Sequence, residues 1–261
     1  MRNHVLRAPS ALVAVLIALA SPFVTGIVGV ASARPVGPAA AAAALDAPLV
    51  APLNAPRPPE PVTALLVRVP HATAVRAHPS GSARVVGTMP SGSKYYDVPI
   101  TAWVEEVSRD GRWGRVEIPY VWPRRHGWIP LRGLARRTTA VEVHADLSER
   151  RITVTKFGRV LFGMPAAIGS GGSPTPPGEY FVTDRIAFSR GYLGTFAFGI
   201  SGIQPKLPPG WSGGNQLAIH GTNSPSSIGT PASAGCLRVS ERSLDRLKPL
   251  LRLGTPVIVV P

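Results

Sequence analysis

Apolar and polar positions alternate in short runs through residues 63–135. The segments Ala64–Val69, Ala83–Gly87, Trp103–Ser108, Trp113–Ile118 and Gly127–Ile129 read as strands. Pro79-Ser80-Gly81, Pro90-Ser91-Gly92 and Asp110-Gly111 separate them, residues that favour turns over ladders. Short strands at this spacing predict a small β-barrel. From Thr138 the alternation resumes around turns at Asp146–Glu149 and Phe157-Gly158-Arg159, which predicts three antiparallel strands. Ser173–Gly178 then forms a proline-rich turn entering a strand at Tyr180–Thr183. Further on, Ser240 is placed to cap a short helix with Leu244 and Leu247 on one face, and Pro249 stops it. Gly254 to Val260 closes the chain as a last strand. The predicted fold class is mainly β: a small N-terminal β-barrel over 63–135, then a β-rich domain over 138–261 with one or two short helices.

The beginning of the chain follows another pattern. Arg2 and Arg7 precede an apolar run from Ala11 to Ala20, and Ala31-Ser32-Ala33 supplies a small-x-small cleavage site, so residues 1–33 read as a secretory signal peptide. The apolar stretch Ala11 to Val30 is also, at about 20 residues, long enough to span a bilayer. A membrane anchor is therefore the other reading, and Pro22, Gly26 and Gly29 favour cleavage. Residues 34–62 are a Pro/Ala-rich linker without helical or strand period. An extracytoplasmic protein, in the cell wall or periplasm, is expected.

Composition narrows the function classes. The chain carries 28 Lys+Arg against 14 Asp+Glu, a formal charge of +14. Loss of Arg2 and Arg7 with the signal leaves +12, which suits anionic wall polymers; nucleic acid is not an expected partner of an exported chain. The 44% hydrophobic content supplies a core. A single cysteine excludes an intramolecular disulfide and a four-cysteine zinc site, and with no metal-ligand cluster, no metal or cofactor is expected.

That cysteine, Cys236, lies in the segment IHGTNSPSSIGTPASAGCLR, residues 219 to 238. Cysteine is often a small buried hydrophobe. Its neighbours point to a nucleophile instead: Gly235 gives close backbone access, Ser233 can bond the loop, and Arg238 adds charge that favours thiolate. A nucleophilic thiol needs a base. His220 stands sixteen residues earlier, at a strand end after Leu217–Ile219 and before Gly221, and the intervening loop of Pro, Gly, Ser and Thr can turn back on itself. Spacing alone leaves a Cys–His pair and two unrelated structural residues both open. His71, His78, His126 and His144 have no such company.

The same segment resembles the signature of the L,D-transpeptidase (YkuD-type) catalytic domain, in which a His-Gly-Thr segment precedes a Ser-x-Gly-Cys-x-Arg segment by this distance. GSPTPPGEYFV is similar to that family's Thr-Pro-x-Gly strand entry and LGTPVIV to its closing strand, so the resemblance covers about 120 residues. Ala234 departs from it, standing where many members carry His or Lys. Upstream, AHPSGSARVVGTMPSGSKY with DGRWGRVEI and HGWIP resembles a bacterial Src-homology-three-like wall-associated module. Trp103, Trp113, Tyr120, Trp122 and Trp128 are then either a peptide groove or core residues of that module.

The catalytic resemblance implies a secreted, monomeric enzyme of peptidoglycan biosynthesis and cell shape that acts on donor and acceptor stem peptides. It makes Cys236 the nucleophile and His220 the base, with the Gly221 carbonyl orienting the imidazole. Amides near Gly235 and Cys236 would hold the oxyanion, while Ser233 and Arg238 organise the loop. An L,D-carboxypeptidase on the same scaffold is one alternative. The other is a non-catalytic cell-wall-binding protein, in which Cys236 is dispensable. Because every landmark follows Thr138, a fragment from Arg136 to Pro261 is expected to fold and act on a small stem peptide.

Overall fold

The computed structural model describes residues 62–261; the segments read as signal peptide and linker lie outside the described residues, Val62 apart. Eight strands come first: β1 (Ala64–Arg68), β2 (Thr73–Arg76), β3 (Val85–Met89), β4 (Thr101–Val104), β5 (Glu106–Val107), β6 (Trp113–Ile118), β7 (Arg125–Pro130) and β8 (Ala135–Thr139). They form a five-stranded sheet in the order β3-β2-β7-β6-β5 and a three-stranded sheet β4-β1-β8. Both sheets feed one aliphatic core that includes Val67, Met89, Ile100, Val116, Ile129 and Leu131. Two strands escaped the hydropathy pattern. β2 is four residues long, and β8 is Ala-Arg-Arg-Thr-Thr, exposed over most of its length yet paired with β1 in register Leu66↔Arg137. Backbone pairing alone recruits it, so no apolar period announces it. Trp103 and Tyr120 pack against this core, while Trp122 is half-exposed.

Only Ala140 separates β8 from β9 (Val141–Asp146). β10 (Arg151–Lys156) and β11 (Arg159–Pro165) follow, and the three are antiparallel neighbours, as the alternation predicts. The turn between β10 and β11 has Phe157 and Gly158 at φ 52° and 72°, the left-handed pair that tight hairpins use. Next come β12 (Ile168–Gly169), β13 (Gly178–Gly191), β14 (Gly194–Ile203), β15 (Gln216–His220), β16 (Pro231–Ser233), β17 (Leu237–Arg238), the helix α1 (Glu241–Leu247) and β18 (Pro256–Val260). The main sheet runs β11-β10-β9-β18-β13-β14-β15-β17. The last strand, β18, is inserted at its centre, parallel to β9 and antiparallel to β13. Ser240 caps α1 by accepting from the Ser243 amide at 3.1 Å, and Leu244 and Leu247 are buried beneath the sheet's apolar face. This is the helix expected.

β13 ties the halves of the chain together. Successive strand residues face opposite sides: Tyr180 enters the core of the main sheet, whereas Phe181, 1% exposed, enters the aliphatic core of the first eight strands. Around it the Tyr120 amide donates to Ser201 O at 2.7 Å. Buried Glu117 of β6 accepts from the Ser201 hydroxyl and from Arg124 Nε, the latter at 2.7 Å. Burial pushes the Glu117 carboxyl up, and the Arg124 guanidinium opposes that. Arg124 also donates to Glu179 O and lies 4.6 Å from the Tyr180 ring.

Candidate active site

β15 and β17 are parallel neighbours in register Ile219↔Leu237 and His220↔Arg238. Alternation along strands puts Ala218 and His220 on one side, and carries Cys236, just before β17, to the same side. Ala218, His220 and Cys236 accordingly line one pocket, together with Ser233, Ala234 and Gln216. His220 is 2% exposed and Cys236 is half-buried. The thiol points along β15, with Sγ 3.9 Å from Gln216 O.

His220 Nδ1 lies 2.5 Å from Gly221 O. A carbonyl only accepts, so Nδ1 carries the proton and Nε2 is left with its lone pair. Gly221 is required by packing: a Cβ there would stand 2.2 Å from Glu241 Oε1 and 2.9 Å from Leu244 Cδ1. Glu241, at the start of α1, in turn bonds the Thr195 hydroxyl of β14. Burial pushes the His220 imidazole down to about 4, the Gly221 bond opposes this, and the charge of Arg238 adds to it. Burial also pushes the Cys236 thiol up. A bond from the Ala218 amide and the charge of Arg238 pull the other way without prevailing. The thiolate expected from Arg238 alone is therefore not the resting form: at neutral pH the pair is thiol and neutral imidazole.

The loop before Cys236 is braced from both sides. Ser233 Oγ donates to Cys236 O at 2.6 Å and accepts from the Gly235 amide at 3.0 Å. The Gly235 amide is thereby occupied, whereas the Cys236 amide has no bond among those of the described residues. Gly235 sits at φ 114°, and a Cβ would fall 2.2 Å from Gln204 Nε2. Thr175 joins the proline-rich turn to this loop: its Oγ1 donates to Gly235 O and accepts from the Gly169 amide, both at 2.8 Å. Gln204 Nε2 holds the same turn through Pro174 O at 2.9 Å. Arg238 acts elsewhere. Its backbone pairs with Ala167, and Nη2 donates to Tyr192 OH at 2.7 Å, fixing the tip of the β13–β14 hairpin, where the Tyr192 ring lies 6.3 Å from the His220 ring.

Site residues that sequence reasoning missed are Gln216, Gln204, Asp184 and Tyr192, together with Tyr95 and Tyr96 from the β3–β4 loop. Thr175 lies inside the quoted GSPTPPGEYFV segment, so a signal for it was present. The others reach the pocket from distant strands and carry no local mark. None of the five tryptophans and tyrosines singled out in residues 103–128 lines this pocket.

Residues 140–259 match the family model YkuD, the L,D-transpeptidase catalytic domain. The chain is 28% identical over 124 residues to YkuD of Bacillus licheniformis, named as a candidate L,D-transpeptidase, covering 48% of this chain and 68% of that protein. The Bacillus subtilis protein of the same name is 26% identical over 122 residues, covering 47% and 67%. Among solved structures, an L,D-transpeptidase from Mycobacterium tuberculosis H37Rv aligns with TM-score 0.43 and 21% identity over 75% of this chain and 98% of that one. Bd1075 of Bdellovibrio bacteriovorus aligns with TM-score 0.38 and 23% identity; the chain covers about half of it, 48%. The family model and both relatives support a YkuD L,D-transpeptidase catalytic domain over residues 140–259.

Proposed function

We propose that this chain is an exported L,D-transpeptidase that cross-links peptidoglycan stem peptides through a thioester on Cys236. The observation that carries the reading is the placement of His220 and Cys236 on one wall of one pocket, with His220 Nδ1 held by Gly221 O at 2.5 Å. That bond leaves Nε2 as the free base. His220 Nε2 takes the thiol proton as Sγ attacks the carbonyl between the L-centre of the diamino acid and the terminal D-alanine. The carbonyl oxygen becomes an oxyanion facing the Cys236 amide. As the amide C–N bond breaks, the imidazolium returns the proton to the departing amine, and D-alanine leaves. An amine of a second stem peptide then attacks the thioester. His220 accepts its proton, passes it to Sγ, and the cross-link is released with the thiol restored.

The resting state fits this cycle, since a neutral imidazole below its ordinary pKa and a neutral thiol hold the proton on sulfur until the substrate is in place. Residues 63–135 are proposed as the wall-associated module that the SH3-like resemblance suggests. The test is intact mass of the chain after incubation with a disaccharide tetrapeptide: an adduct equal to the peptide less D-alanine is expected, absent in Cys236→Ala. No adduct with a folded chain would overturn the reading.

A further inference from the structure

A second cavity lies on the other side of β13. Successive strand residues face opposite ways: Asp184 lines the pocket of Cys236, whereas its neighbour Arg185 lines a cavity with Arg137 of β8, Arg252 and Leu253 from the loop between α1 and β18, and Val98 from the β3–β4 loop. Three guanidinium groups thus meet in one place, and no Asp or Glu among the described residues lines it. None of the three arginines has a salt bridge among those of the described residues. The acids nearest to them in sequence are engaged elsewhere. Asp184 accepts from Thr183 Oγ1 and Gln216 Nε2, each at 2.7 Å, Asp245 pairs with Lys248 at 2.9 Å, and the Asp97 carboxylate stands against Gly92 of its own loop.

Structural duties use only part of this donor set. Arg137 Nη2 donates to Leu253 O at 2.6 Å and Arg185 Nη2 to Lys248 O at 2.7 Å. These bonds hold two of the forks in place, but a neutral carbonyl does not cancel a unit charge. Arg185 Nε is buried with no partner. Arg252 makes its hydrogen bonds among the described residues through backbone atoms, to Thr255, which leaves its whole guanidinium unused. Burial and the charge of Arg252 both push the Arg185 guanidinium below its ordinary value. Like charges crowded beside a buried, unpaired donor are destabilising by themselves. An anion between them turns that repulsion into attraction.

We infer that the cavity between Arg137, Arg185 and Arg252 is a phosphate site, filled by a phosphodiester of a polyanionic polymer or by the free ion. Three planar forks exceed what the two oxygens of one carboxylate can accept, whereas phosphate presents oxygens on every side of a tetrahedron and is gripped two-pronged by Arg. Arg137 and Val98 come from the first eight strands and Arg185 and Arg252 from the rest of the chain, so a bound anion bridges the two halves. It does so across β13 from Cys236, and binding here does not require the reaction proposed there.

The test is isothermal titration calorimetry of the full chain with inorganic phosphate, poly(glycerol phosphate) and polyglutamate. Ionic strength is held fixed, because a chain of formal charge +14 attracts any polyanion to some degree. Saturable phosphate binding is expected, weakened on the order of tenfold or more in Arg252→Gln and in Arg137→Gln/Arg252→Gln. It should be unchanged in Arg132→Gln/Arg159→Gln, which removes the same charge from exposed arginines outside the cavity. Tighter binding of the polymer per phosphate supports the site with a phosphodiester as occupant; binding of inorganic phosphate alone supports it with the free ion. Polyglutamate should bind at least about tenfold more weakly than poly(glycerol phosphate) at equal charge. No saturable binding of either phosphate probe, equal losses in the two double variants, or polyglutamate binding equal to that of the phosphate polymer would overturn the inference. Arg252→Gln breaks no side-chain hydrogen bond among the described residues, so it decides the matter if the Arg137 variant fails to fold.

Discussion

At His220 and Cys236 burial acts on both side chains, and in both it favours the uncharged form. Two pH dependences follow. The thiol stands above its ordinary pKa, so alkylation of Cys236 by iodoacetamide should rise with pH through a midpoint above the ~8.5 of a free cysteine; a midpoint below that value would restore the thiolate that Arg238 suggests. For the imidazole, the folded state at about 4 binds fewer protons than the unfolded chain near 6.5. Stability contributed by this group is therefore complete above pH ~6.5 and declines as pH falls toward ~4, by about 3 kcal/mol in all. Denaturant titrations of the native chain and of His220→Gln across that window should show the variant with the shallower pH dependence. In turnover, His220→Ala should lose ~10²-fold or more with the fold preserved, because it removes the proposed general base. Circular dichroism beside the tetrapeptide assay checks both halves of that statement.

Between elements, the geometry of the proposed nucleophile, Cys236, rests on two joints. Gly235 adopts a backbone conformation that a side chain strains, with Gln204 occupying the space of its Cβ. Gly235→Ala should lower thermal stability by about 1–3 kcal/mol and slow acylation more than it slows alkylation by a small reagent, since acylation also needs the Cys236 amide in place. Thr175 bridges β12 and the nucleophile loop with one hydroxyl. Thr175→Val keeps the shape and leaves a buried amide and carbonyl unpaired, a cost of about 1–3 kcal/mol; Thr175→Ser should restore most of it. Equal melting temperatures for the valine variant and the native chain would remove Thr175 from the joint.

For the whole molecule, the expectation that Arg136 to Pro261 acts alone meets the packing of β13. Cutting there exposes Phe181, takes Glu117 and the Tyr120 amide from Ser201 and Arg124 from Glu179, and strips Tyr95 and Tyr96 from the pocket. Losing one fully buried phenylalanine environment is worth about 1.5–3 kcal/mol by transfer alone, a large share of a typical domain's stability. The fragment should therefore melt well below the chain that starts at Val62, and that longer chain should unfold in one transition by calorimetry. Two separated transitions, or a fragment as active as the longer chain on a soluble stem peptide, would show the halves to be independent.

Local chemistry made much of this legible in advance. Period-two alternation marks β6, β9 and β10 because one face of each is buried, and the Ser240 cap with Leu244 and Leu247 marks α1 because helix ends and faces are local properties. The run from His220 to Cys236 draws attention because a candidate nucleophile, a candidate base and the glycines beside them sit within twenty residues. What depended on distant partners was invisible until the chain folded. β8 exists by pairing with β1, not by hydropathy. Phe181 belongs to a different core from Tyr180 because the two faces of β13 meet different sheets. The sign of the thiol's shift is set by how many atoms bury Cys236, a sum over the whole fold, whereas Arg238 beside it in sequence argued for the opposite sign. Asp184, Tyr95 and Tyr96 come together only because β13, β14 and the β3–β4 loop converge on one pocket, and no spacing along the chain encodes that convergence.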